Sequence, residues 1–167
     1  QYNNLNFEKK SFNFIRTLQL EFLEKNPDGN NLLSFFIETL ESNKLLIIDS
    51  RSNIFLLDNF NSLDSFEIED VKLIENDIKY DVDRVLDSYL HENKLYISFE
   101  SKEKNECKEF KIFVAELDDA FMKFTPFFVD ESCKSILNSG RMLNFEFAKE
   151  QGLLFAVSAA RYDFPNE

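Results

Sequence analysis

The sequence predicts an all-β protein assembled from repeats, a partial β-propeller holding about two and a half blades. Three observations carry that prediction. Apolar residues arrive in short, strand-length runs separated by polar turns. Within the runs, β-branched and aromatic residues alternate with polar ones at the period of a strand, which excludes a helical solenoid. A turn-plus-strand unit then recurs after about fifty residues, a period typical of propeller blades with four strands each.

The first thirty residues are the least regular. Phe12, Phe14 and Ile15, then Leu18, Leu20 and Phe22, mix strand-like alternation with helical spacing. Asn26-Pro27-Asp28-Gly29-Asn30 is a strong turn signal, since Pro fixes φ and Gly permits positive φ. A boundary there leaves residues 1–30 as an N-terminal segment and 31–167 as the partial propeller. Inside the latter, Leu40-Glu41-Ser42-Asn43-Lys44-Leu45-Leu46-Ile47 is echoed by Leu90-His91-Glu92-Asn93-Lys94-Leu95-Tyr96-Ile97. The following strands correspond too, Asn53–Leu57 with Lys111–Ala115. A third unit opens at Arg141-Met142-Leu143, matching Arg84-Val85-Leu86, and continues into Gly152-Leu153-Leu154-Phe155. The units fall at about 33–80, 81–135 and 136–167. The second is expected to form strands at Val85–Leu90, Lys94–Phe99, Phe110–Leu117 and Lys123–Val129. Its longer hairpin loop, Glu100 to Glu109, lies where an insertion costs little loop-closure entropy. Two and a half blades cannot close a ring, so the chain is expected to be a fragment or to need a partner supplying the remaining blades. The competing fold is a β-sandwich whose hairpins resemble one another by chance.

Composition narrows the function classes. The net charge of −12 disfavours a general nucleic-acid binder, which needs a basic face for phosphates, and disfavours adsorption to anionic membranes. No apolar run is long enough to span a bilayer as a helix. With two cysteines, Cys107 and Cys133, and one histidine there is no zinc set; the cysteines either pair or are two buried thiols.

Few residues could carry chemistry. His91, the only histidine, is placed at the end of a unit's innermost strand, where a base titrating near neutrality could face a central channel. Its bland reading is a hairpin-turn residue, since Glu41 occupies the same place in the first unit. Asp81, Asp83 and Asp87 alternate, which puts them on one face of an extended segment; lacking the glycine and glutamate of a calcium loop, they read as a solvated edge. Asp118-Asp119 reads as a turn. Arg141, after Asn138-Ser139-Gly140, could pair a carboxylate or hold an anionic ligand if buried, and otherwise simply enters a strand.

Val85-Leu86-Asp87-Ser88-Tyr89-Leu90-His91 with Lys94-Leu95-Tyr96-Ile97-Ser98-Phe99 resembles the soluble quinoprotein glucose/sorbosone (aldose sugar) dehydrogenases, in which a strand ending in a catalytic histidine precedes such a strand. The resemblance continues through Cys107, Lys111–Leu117, Phe127-Phe128 and Cys133, then Ser139-Gly140-Arg141-Met142 and Gly152–Phe155, about half the chain. It implies a six-bladed propeller binding pyrroloquinoline quinone (PQQ) and calcium and oxidising a sugar in the periplasm or outside the cell. His91 would be the general base while hydride passes to the quinone, Arg141 a cofactor contact, and Cys107–Cys133 a disulfide suited to an oxidising compartment. Activity is not expected of this chain alone, because the family's later blades supply the calcium ligands. Ser158-Ala159-Ala160 replaces the family's Gly-Asp pair, which favours the alternative of a non-catalytic propeller serving as a binding or cell-surface module.

Overall fold

The computed structural model describes residues 34–41, 44–57, 71–78, 81–101, 107–134, 136–147 and 150–160. The N-terminal segment and its Asn26–Asn30 boundary lie outside the described residues, as do residues 102–106 of the Glu100–Glu109 loop. The elements are all strands: β1 (Phe35–Leu40), β2 (Lys44–Asp49), β3 (Ile54–Leu57), β4 (Val71–Asn76), β5 (Val82–His91), β6 (Lys94–Ser101), β7 (Lys108–Glu116), β8 (Phe121–Met122), β9 (Thr125–Lys134), β10 (Ile136–Phe147) and β11 (Glu150–Ala160). Among the described residues no helix is long and apolar enough to cross a membrane.

The strands form three open sheets in sequence order. The first runs β1-β2-β3-β4-β8, the second β5-β6-β7-β9, and the third is the hairpin β10-β11. The predicted strands of the second unit are all present, and the repeat lands on equivalent hairpins. Leu40 pairs with Lys44 across the β1–β2 turn, and His91 with Lys94 across the β5–β6 turn. The fourth strand differs from expectation at its start. Phe121 and Met122 leave the second sheet and pair in parallel with Glu75 and Asn76 of β4, so β9 begins only at Thr125. Phe124 N–H donates to Asp77 Oδ1 at 2.9 Å and holds this crossing in place.

Period-two alternation explains the packing. Along β6, Leu95, Ile97 and Phe99 point to one face, where they join Leu46, Ile48, Ile54, Leu56 and Ile74 of the first sheet in one core. On the opposite face, Phe110 and Ile112 of β7 pack with Leu137 and Met142 of β10, flanked by Leu86, Tyr89, Tyr96 and Phe155. The second sheet is therefore the middle layer of three. The hairpin's far face carries exposed Leu143, Phe145 and Leu154, and exposed Ile37 and Leu73 project from the first sheet.

Gly140 permits the tight approach of the hairpin. A Cβ there would lie 2.8 Å from Ser98 Oγ, 2.9 Å from Phe110 Cε2 and 3.0 Å from Leu86 Cβ. The Ser139-Gly140-Arg141 stretch lies within β10, and its glycine serves close packing. Ser98 Oγ–H donates to the Gly140 carbonyl at 2.7 Å across the same seam.

Two carboxylates, buried Asp87 and half-buried Glu38, stitch neighbouring sheets at the first strand of each. Asp87 Oδ2 accepts the Met142 N–H of β10 at 2.7 Å. Glu38 of β1 accepts from Ser88 Oγ and from the Leu90 backbone of β5. Burial pushes both carboxyls above their ordinary range, although these hydrogen bonds pull the other way. The expectation that Asp81, Asp83 and Asp87 share one solvated face is thereby corrected. Register shifts at Val82/Arg84 and Val85/Asp87 break the alternation. Asp83 stays exposed and pairs with Lys108 at 2.8 Å, Asp81 sits in a turn, and Asp87 turns inward.

Candidate functional site

The hairpin ends of the first two sheets define a cleft of about 490 Å³. Its floor is the edge of the core, Leu46, Leu56, Ile74 and Met122. Its rim is polar, with Glu41 and Lys44 from the β1–β2 turn, His91, Glu92 and Asn93 from the β5–β6 turn, and Asp118. Local chemistry fixes the β5–β6 turn and the turn at Asp118. Glu92 and Asn93 adopt φ of 47° and 62°, the two-residue left-handed turn whose twist matches a hairpin. Leu117 N–H donates to the Asn93 carbonyl at 2.9 Å, tying that turn to the end of β7. Asp118 Oδ1 accepts the N–H groups of Ala120 and Phe121 at 2.7 and 2.9 Å, and these bonds hold its carboxyl below the usual range. The Asp118-Asp119 turn thus aims the loop that crosses to β4.

A second pocket, about 210 Å³, lies on the other side of the second sheet, against the hairpin. Tyr89, Tyr96 and Phe127 wall it, with His91, Asn144 and Leu153. Tyr89 and Tyr96 are a cross-strand pair with centroids 6.3 Å apart. Phe127 meets Tyr96 edge to face at 5.3 Å. Two residues apart on one strand, Tyr89 and His91 share a face, and their rings stack at 6.0 Å with 16° between planes. His91 lines both spaces. Its Nε2 lies 3.8 Å from Glu92 Oε1, and its side chain is one-third exposed.

The other sequence-predicted residues lie apart from His91. Arg141 lines neither space; its guanidinium is 79% exposed and lies 4.0 Å from Asp87 Oδ1. Among the described residues no three metal-binding side chains converge. The described residues therefore do not by themselves make a quinone-and-calcium site, and no chemical step is derived through either group. Cys107 and Cys133 fall at the outer ends of β7 and β9, which pair antiparallel with Lys108 opposite Lys134. Among the described residues there is no free thiol.

Sequence reasoning missed Arg84, Glu38 and the aromatic pocket. Arg84 donates to the Leu137 carbonyl and reaches buried Glu100, closing the seam at the opposite end from His91. The Tyr89/Tyr96 spacing was a readable signal for the aromatic wall; the arrival of Phe127 and Asn144 from other strands was not. Compared with known proteins, the chain matches no family model, no curated protein and no solved structure.

Proposed function

We propose that this chain contributes blades to a secreted or periplasmic β-propeller, six-bladed by resemblance, that binds a sugar at the His91 end of the sheets. The observation that carries the reading is the position of His91 between two clefts at the mouth of stacked, blade-like sheets. A rim rich in hydrogen-bonding groups over an apolar floor suits a neutral polyhydroxylated ring, and 490 Å³ falls in the ordinary size range of small-molecule sites. The propeller reading is supported by sheets that follow one another along the chain and stack by their faces. Remaining blades, or a partner chain, would cover the apolar outer faces. A Cys107–Cys133 disulfide belongs to the same reading and is supported by the register that sets Lys108 of β7 opposite Lys134 of β9, each next to a cysteine in the chain.

The test is calorimetric titration of the chain with a panel of aldoses, alongside His91→Ala. Binding that weakens about tenfold or more in the variant is expected, as for loss of a hydrogen bond to a buried polar ligand. No binding by any aldose, or unchanged affinity in His91→Ala, would sink the reading.

A second, enzymatic reading is favoured by one feature. The accessible His91 imidazole, whose Nε2 lies 3.8 Å from Glu92 Oε1, is a side chain able to take a proton from a sugar hydroxyl. PQQ with calcium is the hydride acceptor the resemblance suggests, and it would need residues other than those described. Sugar-dependent dye reduction by the complete protein supplied with PQQ and calcium would support this. Sugar binding without reduction leaves the non-catalytic binding module.

A further inference from the structure

We propose that the open edge of β11 docks an extended segment of another protein, which adds to the hairpin sheet as a third strand. The segment is apolar along its centre and basic at both ends. The site does not depend on a sugar at His91. Natural sheets blunt their edges with short strands, bulges, proline or charge, because unpaired backbone groups invite another chain. Each of the three open sheets has two border strands, and five of these are guarded. β8 is only Phe121–Met122. β9 carries Pro126, which has no N–H to offer, and Phe127 drops out of its ladder as a bulge. β1, β5 and β10 meet at the carboxylate seams, and β5 and β10 have register shifts as well. β11 has none of these devices. From Gln151 to Ala160 it holds no proline and no charged side chain, and the bulge in its hairpin falls on β10, at Asn138. Among the described residues it pairs with β10 alone.

An apolar shelf lies beside that edge. Phe155 of β11 packs on Phe110 of β7 and Phe128 of β9, with ring centroids 5.8 and 4.8 Å apart, which sets β11 beneath β7 and β9. A strand added to β11 would run under the margin of β9, where Phe128 and Val157 are each 37% exposed. Its backbone would complete the ladder, and its inward side chains, every second residue, would cover both.

The ends of this notch are acidic. β9 continues into Asp130 and Glu131 as it nears the end of the hairpin where Ile136 pairs with Ala160, and Glu146 stands opposite Gln151 at the other end. These carboxylates favour lysine or arginine at the two ends of an incoming strand. The net charge of −12 disfavours a second copy of this chain as the occupant.

The test uses the full chain with the peptide acetyl-Lys-Val-Thr-Val-Thr-Val-Lys-amide and a control carrying glutamate at both ends. Calorimetry should show the basic peptide binding and the acidic one weaker by about tenfold or more, as two exposed attractions become two repulsions. Hydrogen exchange followed by NMR should show the basic peptide slowing the β11 amides that point away from β10. Val157→Lys puts a like charge in the notch at a position one-third exposed, and should abolish binding while the circular dichroism spectrum is unchanged. No binding, equal binding of both peptides, or protection confined to other strands would overturn the proposal. So would edge-facing β11 amides that exchange slowly without peptide. Slow exchange at every protein concentration would show the chain itself covering the edge, and slowing that grows with concentration would show a second copy there.

Discussion

Replacing Asp87 separates what its hydrogen bond contributes from what its buried charge costs. Its Oδ2 accepts the Met142 N–H at 2.7 Å, with the carboxylate only 6% exposed. Asp87→Ala leaves that amide buried and unpaired, a loss of about 1–3 kcal/mol. For a chain of this size, about 2 kcal/mol corresponds to a fall of about 4–8 °C in melting temperature. Asp87→Asn keeps an acceptor oxygen and removes the charge whose burial raises the carboxyl above its ordinary value of 3.8. It should therefore stay within about 1 kcal/mol of the parent at neutral pH. The pH dependence follows from the sign of the shift. A carboxyl whose folded pKa lies above its unfolded value binds more protons in the folded state, so its contribution is fully present below the unfolded pKa and is lost as pH rises through the folded one. Asp87 and Glu38 both act in this sense, making the parent gain stability from them on mild acidification. Asp87→Asn should flatten that part of the profile. Urea denaturation followed by tyrosine fluorescence, in a chain without tryptophan, measures both effects. An Asn variant that falls as far as the Ala variant would refute the hydrogen-bond argument; an unchanged pH slope would refute the linkage argument.

Other substitutions test the seams and turns. Gly140→Ala should cost about 1–3 kcal/mol by urea denaturation, because its Cβ would meet Phe110 and Leu86 of the middle layer, which have little room to yield. Converting Glu92-Asn93 to Asn-Gly should raise stability by about 0.5–1 kcal/mol, since both positions hold positive φ and the latter pair favours this turn. Labelling of unreduced, denatured protein with a thiol reagent should find no reactive cysteine if Cys107 and Cys133 are paired; two labelled thiols would remove that pairing and the argument for an oxidising compartment.

Much of the architecture was readable because it is local. The Leu40–Ile47 and Leu90–Ile97 echo marks two hairpins whose strands pair as the alternation requires. The four strands of the second unit were found because each is a single apolar run. What stayed hidden depends on residues far apart in the chain. Asp87 looked like a member of a solvated acidic edge because strict alternation was assumed, and two register shifts turned it inward toward a backbone amide 55 residues away. Arg141 looked capable of holding a ligand, yet β10 turns it outward, while Arg84 of the matching motif closes the seam. His91 ends β5, the strand-end place that the hairpin pattern gave it. The two spaces it borders are walled by residues from different sheets, and no local pattern announces those.

The carboxylate stitches give the stack a direction. Glu38 reaches forward to β5, and Asp87 reaches forward to β10, so the second unit receives an acceptor from the first and supplies one to the third. Units joined this way are interchangeable in kind. A duplicated stretch of coding sequence inserted between them would arrive with both halves of its joint already made. The motif Arg84-Val85-Leu86-Asp87 recurs as Arg141-Met142-Leu143-Asn144, where the reaching residue has become an amide that can give as well as accept a hydrogen bond. A joint made through such an amide would hold no titrating carboxylate, so it would be indifferent to pH where the Glu38 and Asp87 joints weaken as pH rises.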